Sequence, residues 1–173
     1  FTYITNDVDN TAKISASTKS GSVVIPSSVT NNGIVYTVNN IARFSFYNKH
    51  GVTSFTIPAS ITKIERQSLL LCVYCTSITF EPNSQLTYIG SEGLKSLSSL
   101  VSFEIPSGVT YIGNEALNGA IKLTSPIIIP SGVTYLGYNA FLSALKVPSI
   151  TFAPNSLLTT IPGGMCWNMQ RIT

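Results

Sequence analysis

Apolar residues recur along this chain in a pattern with a period of about 24 residues, a length typical of repeat proteins. Counted from one apolar reference residue, further apolar positions follow five, eight, eleven, fourteen and sixteen residues later. The reference residues are Ile41, Ile64, Ile89, Ile112, Leu136 and Ile161. A unit of this length is too small to bury its own apolar face, so each unit has to pack on its neighbours. The pattern therefore predicts a solenoid of stacked repeats.

Two kinds of local structure are predicted inside each repeat. Offsets fourteen and sixteen are two apart, as in Phe103 and Ile105, which is the spacing of a short strand with one face inward. Offsets five and eight are three apart, which indicates a short α-helical or 3₁₀ turn on the opposite side. Stacking places equivalent strands side by side in a parallel ladder. In the fourth repeat the same count puts Pro126 and Ile128 in inward positions.

Proline and glycine punctuate the repeats. The prolines that follow the predicted strands are Pro26, Pro58, Pro82, Pro106, Pro130 and Pro154, and the last five of them are evenly spaced. Because proline cannot donate a ladder hydrogen bond, each one ends its strand. Glycine follows the reference residue at Gly90, Gly113 and Gly137, where we expect a turn with positive φ.

Residues 1–40 differ from the rest of the chain. Alternating residues on either side of the Asn/Asp-rich stretch 6–10 predict a β-hairpin. The dipeptide Asn32-Gly33 is a second hairpin-turn signal. We interpret residues 1–40 as a β cap that merges into the first repeat. Residues 41–173 then hold about five complete repeats of the length given above and a partial last one, in one continuous domain.

The C-terminal end has no comparable cap in its sequence. Met165, Trp167, Met169 and Ile172 lie close to it. A solenoid end without a polar cover exposes the apolar stack. We expect either further repeats or a partner at this end, and self-association of two copies through it is one hypothesis.

The repeated segments carry a specific motif. I-P-S-G-V-T-Y-I-G-N-E-A-L occupies residues 105–117, and its copy I-P-S-G-V-T-Y-L-G-Y-N-A-F occupies residues 129–141. The variants F-E-P-N-S and F-A-P-N-S begin at Phe80 and Phe152. Over residues 22–173 the chain resembles the BspA-like class of leucine-rich repeats.

This resemblance implies both a fold and a setting. The implied fold is an α/β leucine-rich repeat solenoid, right-handed, with a parallel β ladder and short helices or 3₁₀ turns opposite. The implied protein is bacterial, exported and extracellular or on the cell surface, where it binds protein or glycan ligands such as those of a host extracellular matrix. The chain departs from the motif at Lys49, which occupies an apolar column, at Pro126, which replaces a strand residue, and at residues 67–69.

Composition removes two classes of partner. Only 10% of the residues are charged, and the ten Lys and Arg residues are scattered rather than clustered. The sequence therefore lacks the basic footprint of a nucleic-acid-binding protein. No apolar run approaches the roughly 20 residues that span a bilayer, so we predict no membrane span.

Few residues suggest chemistry. Cys72-Val73-Tyr74-Cys75 has the C-x-x-C spacing of a redox pair or of half a zinc site. Both cysteines fall in apolar columns, however, and we interpret them as small buried hydrophobic residues. His50 is the only histidine and is expected in an exposed turn. Because no nucleophile–base pair or metal-ligand set is recognisable, we predict no catalytic residue, no cofactor, no metal and no enzymatic activity.

The outward strand positions are rich in Ser and Thr and form what we call the Ser/Thr face. Its residues are Thr53, Ser54, Thr56, Thr76, Ser77, Thr79, Ser102, Glu104, Thr124, Ser125, Ser149 and Thr151. Such side chains suit any exposed strand, but they also suit hydrogen bonding to a ligand. Our hypothesis is a binding or adhesion module that presents this face to protein or glycan ligands. The alternative is a structural spacer that holds another domain away from the cell envelope.

Overall fold

The computed structural model describes residues 1–164, which form a β-solenoid of about six turns. The strands are β1 (Thr2–Asn6), β2 (Thr11–Ala16), β3 (Gly21–Val24), β4 (Ser28–Asn31), β5 (Ile34–Ile41), β6 (Val52–Ile57), β7 (Lys63–Ile64), β8 (Ser77–Phe80), β9 (Tyr88–Ile89), β10 (Tyr111–Ile112), β11 (Ile127–Ile129), β12 (Tyr135–Leu136) and β13 (Ile150–Phe152). The apolar residues predicted at Cys166, Met169 and Ile172, and the C-terminal end proposed for self-association, lie outside the described residues.

One sheet, which we call the long ladder, runs through the described solenoid. Its order is β1-β2-β5-β7-β9-β10-β12, with β4 paired to β5. From β2 onward along this order the neighbouring strands are parallel, for example Tyr111↔Tyr135 and Ile112↔Leu136. Each middle rung contains only two residues, the second of which is the buried reference residue. The sequence pattern predicted this residue in the core but did not predict its strand.

The predicted strands lie in a second ladder, which we call the broken ladder. It begins with β3-β6-β8 and continues only as a single bridge between Ser77 and Ser102. The segment Phe103–Ile105 belongs to no strand. Pairing then resumes between β11 and β13. The parallel ladder predicted for this face is therefore present at both ends and interrupted in the middle.

The register predicted for the fourth repeat is wrong by one residue. Ile127 and Ile129 face the core, Ile128 is 57% exposed, and Pro126 is exposed as well. The first inward strand residue of this repeat follows Ile112 at offset fifteen, against offset fourteen in the other repeats. Proline cannot donate to a ladder, so the additional residue is accommodated before the strand begins.

The predicted helices are absent from the part of the chain that the structure describes, which is β-solenoid rather than α/β. The arc opposite the strands consists of turns, and two residues in each arc have positive φ, as do Glu92 (57°) and Ser96 (61°). Left-handed residues stop a helix from propagating. Alternate arc amides donate to the next turn, as Leu94 N does to Ala116 O at 2.9 Å. Those in between donate to the carbonyl three residues back, as Lys95 N does to Glu92 O at 3.2 Å, so the arc is held by turns and by bonds to its neighbour.

The predicted glycines are required for close packing and not for positive φ. Gly90, Gly113 and Gly137 are absent from the positive-φ residues. A Cβ at Gly113 would overlap the backbone nitrogen of Ser91, and one at Gly137 would overlap that of Asn114. Glycine is needed because the backbones of successive turns approach each other more closely than a side chain allows.

Both hairpins predicted in the N-terminal region are present. β1 and β2 are antiparallel, and so are β4 and β5. The turn at Asn32 and Gly33 has φ of 49° and 79°, as a two-residue hairpin turn of this sequence requires. β2 then pairs in parallel with β5, and β3 with β6. The N-terminal region therefore supplies the first rung of each ladder.

The core is one continuous column of apolar side chains. The reference residues from Ile41 to Ile112 are fully buried, and Leu136 is 4% exposed. Ile161, predicted in the same column, is instead 61% exposed. Its segment pairs with no strand in the described part of the chain, where β12 is the last rung, so nothing holds Ile161 in the core register.

Candidate functional site

The residues of the Ser/Thr face lie along the broken ladder and divide by exposure. Exposed are Thr53, Thr76, Thr79, Ser102, Glu104, Thr124 and Thr151. Partly buried are Ser54, Thr56, Ser77, Ser125 and Ser149. The structure therefore places the predicted residues along one ladder, although the interruption at Phe103–Ile105 divides them along the solenoid.

Several of these hydroxyls already bond to a neighbouring turn. Thr76 Oγ1 donates to Thr53 O at 3.1 Å, Thr124 Oγ1 donates to a carbonyl of the preceding turn at 3.2 Å, and Ser54 Oγ donates to Ser22 Oγ at 2.9 Å. These contacts join turns and therefore stabilise the solenoid. Thr79 makes no side-chain hydrogen bond within the described residues and remains open to a ligand.

Ser125 bonds to the backbone of the preceding turn. Its hydroxyl accepts from Phe103 N at 3.1 Å and donates to Phe103 O at 3.3 Å. One side chain thereby stands where a neighbouring strand would supply backbone donors and acceptors. Ser125 thus closes the interrupted ladder locally and is a structural residue.

The interruption opens a groove of about 930 Å³ on the Ser/Thr face. Four of the predicted residues line this groove: Thr79, Ser102, Glu104 and Ser125. The remainder of its lining comes from Ile78, Phe80, Glu81, Asn83, Ser84, Phe103, Ile105, Pro106, Ser107, Pro126, Ile128, Pro130, Ser131 and Ala153. Apolar walls with a few convergent polar groups are typical of binding sites.

Prolines lie at the strand ends that border the groove. Where the residue after a strand is not proline, its amide bonds to the preceding turn: Glu81 N donates to Ile57 O, and Ala153 N donates to Ile129 O, both at 2.9 Å. The equivalent positions in the two middle turns are prolines, which have no amide hydrogen. The middle turns therefore lack this bond at the end of the strand.

The charges in the groove have one sign. Glu81 and Glu104 are exposed there, and no Lys, Arg or His is among the lining residues. Glu81 Oε2 accepts from Ala59 N at 3.2 Å. Glu104 takes part in no ion pair within residues 1–164. The groove is therefore acidic on a chain whose net charge is +3.

The long ladder carries a tyrosine stack that the sequence analysis did not identify. Tyr111 stacks on Tyr88 with ring centroids 4.6 Å apart and on Tyr135 at 4.5 Å, at interplanar angles of 13° and 7°. Burial raises the pKa of Tyr111 above its usual value. The signal was the Tyr that precedes the reference residue in each V-T-Y-I/L motif or its variant. Because Tyr111 is covered by a ring on each side, the stack mainly fixes the register between turns.

A cluster of charged and amide side chains joins the arcs of neighbouring turns. Lys95 Nζ donates to Glu115 Oε2 at 2.6 Å and lies 3.6 Å from Glu92 Oε2. Asn118 Nδ2 also donates to Glu115 at 2.9 Å. The hydrogen bond from Lys95 lowers the pKa of Glu115, and the same bond raises the pKa of Lys95. The ion pair of Lys95 and Glu115 links neighbouring turns. These two charges therefore have a structural partner and need no ligand.

The two cysteines lie in the core, as interpreted from the sequence. Both are fully buried, and Cys72 Sγ donates to Phe46 O at 3.1 Å. Burial raises the pKa of Cys72 to about 12 and that of Cys75 to about 11, far from thiolate formation at neutral pH. His50 is exposed in a turn beside Tyr74.

Residues 1–164 offer neither a metal-ligand cluster nor a membrane-spanning helix. No group of three or more His, Cys, Asp or Glu side chains is placed to hold a metal ion there. The same residues include no helix of the length and apolarity needed to cross a membrane.

Comparison with solved structures gives the same architecture. A leucine-rich repeat protein from Bacteroides ovatus superimposes with a TM-score of 0.75 at 24% identity, over 91% of this chain and 44% of that one. A leucine rich repeat protein of T. pallidum gives 0.77 at 21%, over 87% and 67%. A leucine rich cell surface protein from Faecalibacterium prausnitzii gives 0.58 at 24%, over 92% and 54%. The chain thus spans less than half of the first protein, and at these identities the likeness establishes the fold.

Comparison by sequence establishes the family. No curated protein matches the chain. The model of the BspA type leucine rich repeat region matches residues 39–172 in six copies, which is well over half of the chain. The motif units, the stacked turns and this match lead to one conclusion: the chain belongs to the BspA-type leucine-rich repeat family.

Proposed function

We propose that this chain is a non-enzymatic binding module of an exported cell-surface protein, and that it holds a protein or glycan ligand against the broken ladder. The observation that carries the proposal is the interruption at Phe103–Ile105, which opens a groove of about 930 Å³ in the middle of the Ser/Thr face. Membership of a family with cell-surface relatives supports the location. Fold alone does not give function, so the proposal rests on the groove.

The groove suits binding better than catalysis. Its walls combine apolar side chains with hydroxyls and carboxylates, and its open shape admits an extended ligand. Catalysis depends on donors held in a water-excluded site, and an open sheet face does not provide one. The buried cysteines and the exposed His50 lie outside the groove lining.

The rival function is a spacer that holds another domain away from the cell envelope. The observation that favours it is the dense hydrogen bonding between turns, in both ladders and in the arcs. Such bonding stiffens a solenoid along its axis. A spacer needs stiffness alone, however, and does not need a groove.

The two functions separate in a binding screen. The purified chain is applied to an array of extracellular-matrix proteins and glycans, alongside a variant with Thr79→Lys and Ser102→Lys in the groove. The control variant carries Thr87→Lys and Thr134→Lys, both exposed and each directly before a strand of the long ladder. We expect at least one saturable ligand, lost in the groove variant and kept in the control.

Circular dichroism first verifies that all three proteins are folded. If no arrayed molecule binds the folded chain, or if the control variant loses the ligand as well, the groove is not the binding surface. A blank array with a stiff, folded chain supports the spacer.

A further inference from the structure

We propose that the groove binds an extended basic peptide segment of a protein partner, with Lys or Arg side chains on its carboxylates. This inference rests on the proposed function and narrows its ligand from any protein or glycan to one chemical class. It follows from the charge, the main-chain groups and the walls of the groove, taken in turn.

Charge selects the sign of the ligand. Glu81 and Glu104 line the groove from neighbouring turns, and no basic residue in its lining neutralises them. The other glutamates are engaged elsewhere: Glu65 with Asn40, and Glu92 and Glu115 with Lys95. Complementary charge at an interface favours the correct partner and speeds association.

Main-chain groups select an extended ligand. Phe103–Ile105 lies beside a strand but belongs to none, and the amides of Glu104 and Ile105 donate to no residue of the described chain. Pro106 has no amide hydrogen, so Phe80 O receives no bond equivalent to that between Glu81 and Ile57. A peptide in an extended conformation has donors and acceptors spaced to pair with such groups.

The apolar walls of the groove indicate which side chains the peptide carries between its basic residues. Phe80 is partly exposed and packs edge to face on the buried Phe103, with ring centroids 6.1 Å apart, and Ile128 is 57% exposed. These surfaces fit aliphatic side chains and the apolar stems of Lys and Arg. Alternate residues of an extended peptide point the same way, which matches basic residues to the carboxylates and apolar ones to the walls.

The experiment selects peptides without assuming a sequence. A phage-displayed library of short random peptides is panned on the immobilised chain, and enriched peptides are synthesised with a fluorescein label. Binding is measured by fluorescence polarisation at low and high salt. The test variant is Glu81→Gln with Glu104→Gln, which keeps shape and hydrogen-bonding atoms. The control is Asp7→Asn with Asp9→Asn, an equal charge change in the distant N-terminal turn.

We expect enriched peptides to carry Lys or Arg at alternating positions and to bind more weakly as salt is added. The Glu81→Gln, Glu104→Gln variant should lose about tenfold in affinity, the size expected for two partly exposed charge pairs. The aspartate control should bind as the unmodified chain does. Loss in both variants would indicate a general charge effect and would overturn the assignment to the groove.

The outcomes separate this inference from the function on which it depends. If enriched peptides lack basic residues, or bind equally to the glutamine variant, the basic-peptide inference is wrong. If no peptide is enriched but an arrayed glycan or protein is lost with Thr79→Lys and Ser102→Lys, the binding face stands and its ligand is of another class. If no ligand responds to either set of variants, both proposals fail.

Discussion

The two ladders of this solenoid are built from the same repeats, but one is continuous and the other is not. The long ladder pairs without interruption from β1 to β12, and tyrosines stack on its last three rungs. The broken ladder stops after β8, resumes at β11 and leaves a groove between them. Regular pairing uses the hydrogen-bonding groups of the backbone, and an interruption leaves them for a ligand. In a repeat protein, the irregular turns are therefore where a specific contact is to be sought.

Chain length explains why only one ladder breaks. Each middle rung of the long ladder is two residues, which lie between the turn after the proline and, in β9 and β10, a tightly packed glycine. The strands of the broken ladder follow the longer arc, where the fourth repeat has one more residue, next to Pro126. The prolines at 106 and 130 also remove two donors at the strand ends. Both features act only on the broken ladder.

The largest expected effect comes from crowding the long ladder. A Cβ at Gly113 would overlap the backbone of Ser91, so Gly113→Ala should lower the free energy of unfolding by about 3 kcal/mol, the upper end of overpacking costs. Gly132→Ala is the matched control, because the nearest atom to its added Cβ is 3.8 Å away. Urea denaturation measures both. Equal stability of the two variants would contradict the close approach of the turns.

The tyrosine stack gives the next effect. In the stack of Tyr88, Tyr111 and Tyr135, Tyr111 contacts both of the other rings, whereas Tyr88 contacts only Tyr111. Tyr111→Leu should therefore destabilise the fold more than Tyr88→Leu. At about 1 kcal/mol per stacked pair, the expected losses are about 2 and about 1 kcal/mol. Leucine keeps apolar area at both positions, so the difference reports stacking. The measurement is again urea denaturation, and a larger loss for Tyr88→Leu would show that stacking does not set the cost.

A smaller effect is expected at the break itself. Ser125→Ala removes the hydroxyl that bonds both Phe103 N and Phe103 O, which should cost about 1.5 kcal/mol because two backbone groups lose their partner. Ser102→Ala is the control, since Ser102 is exposed. Hydrogen exchange should localise the change to residues 101–105. A global loss without local exchange would mean that Ser125 does not hold this segment.

The repeat pattern predicted most of the core, because burial is periodic and apolar residues report it directly. It also predicted both N-terminal hairpins from their turn residues. It missed the long ladder because strands of two residues, such as Tyr88–Ile89, are too short to show alternation. It predicted helices from apolar residues three positions apart. Turns that contain left-handed residues such as Glu92 have the same spacing, so the pattern did not distinguish the two.

The candidate site was predictable only in part. The outward Ser and Thr positions follow from strand alternation, but the groove depends on which turn fails to pair. Pro126 was the available signal, since a proline in an inward strand column contradicts the register that places it there. Glu81 could not be assigned to the groove from its spacing. It follows its strand in the sequence, and its place in the groove lining depends on how the turns pack on one another.

The smallest effect concerns the arcs that join the two ladders. Glu115 has a pKa lowered from 4.5 by its bond with Lys95, so the pair stabilises the fold above that pH and the contribution is lost as pH falls through the lowered value. Lys95 has a raised pKa, so its share is present below 10.5 and is lost as pH rises through the raised value. Both side chains are about a third exposed, and the expected contribution is therefore only about 0.5 kcal/mol.

The variant that isolates this pair is Glu115→Gln, measured by urea denaturation at neutral pH and in acid below the lowered pKa of Glu115. It should be less stable than the unmodified chain at neutral pH and equal to it in acid, because the carboxyl of the unmodified chain is then protonated. In a Lys95→Met background the same substitution should have little effect at either pH. A loss that persists in acid, or in that background, would mean that packing and not charge joins the arcs. The two ladders would then be held together by their shared core alone.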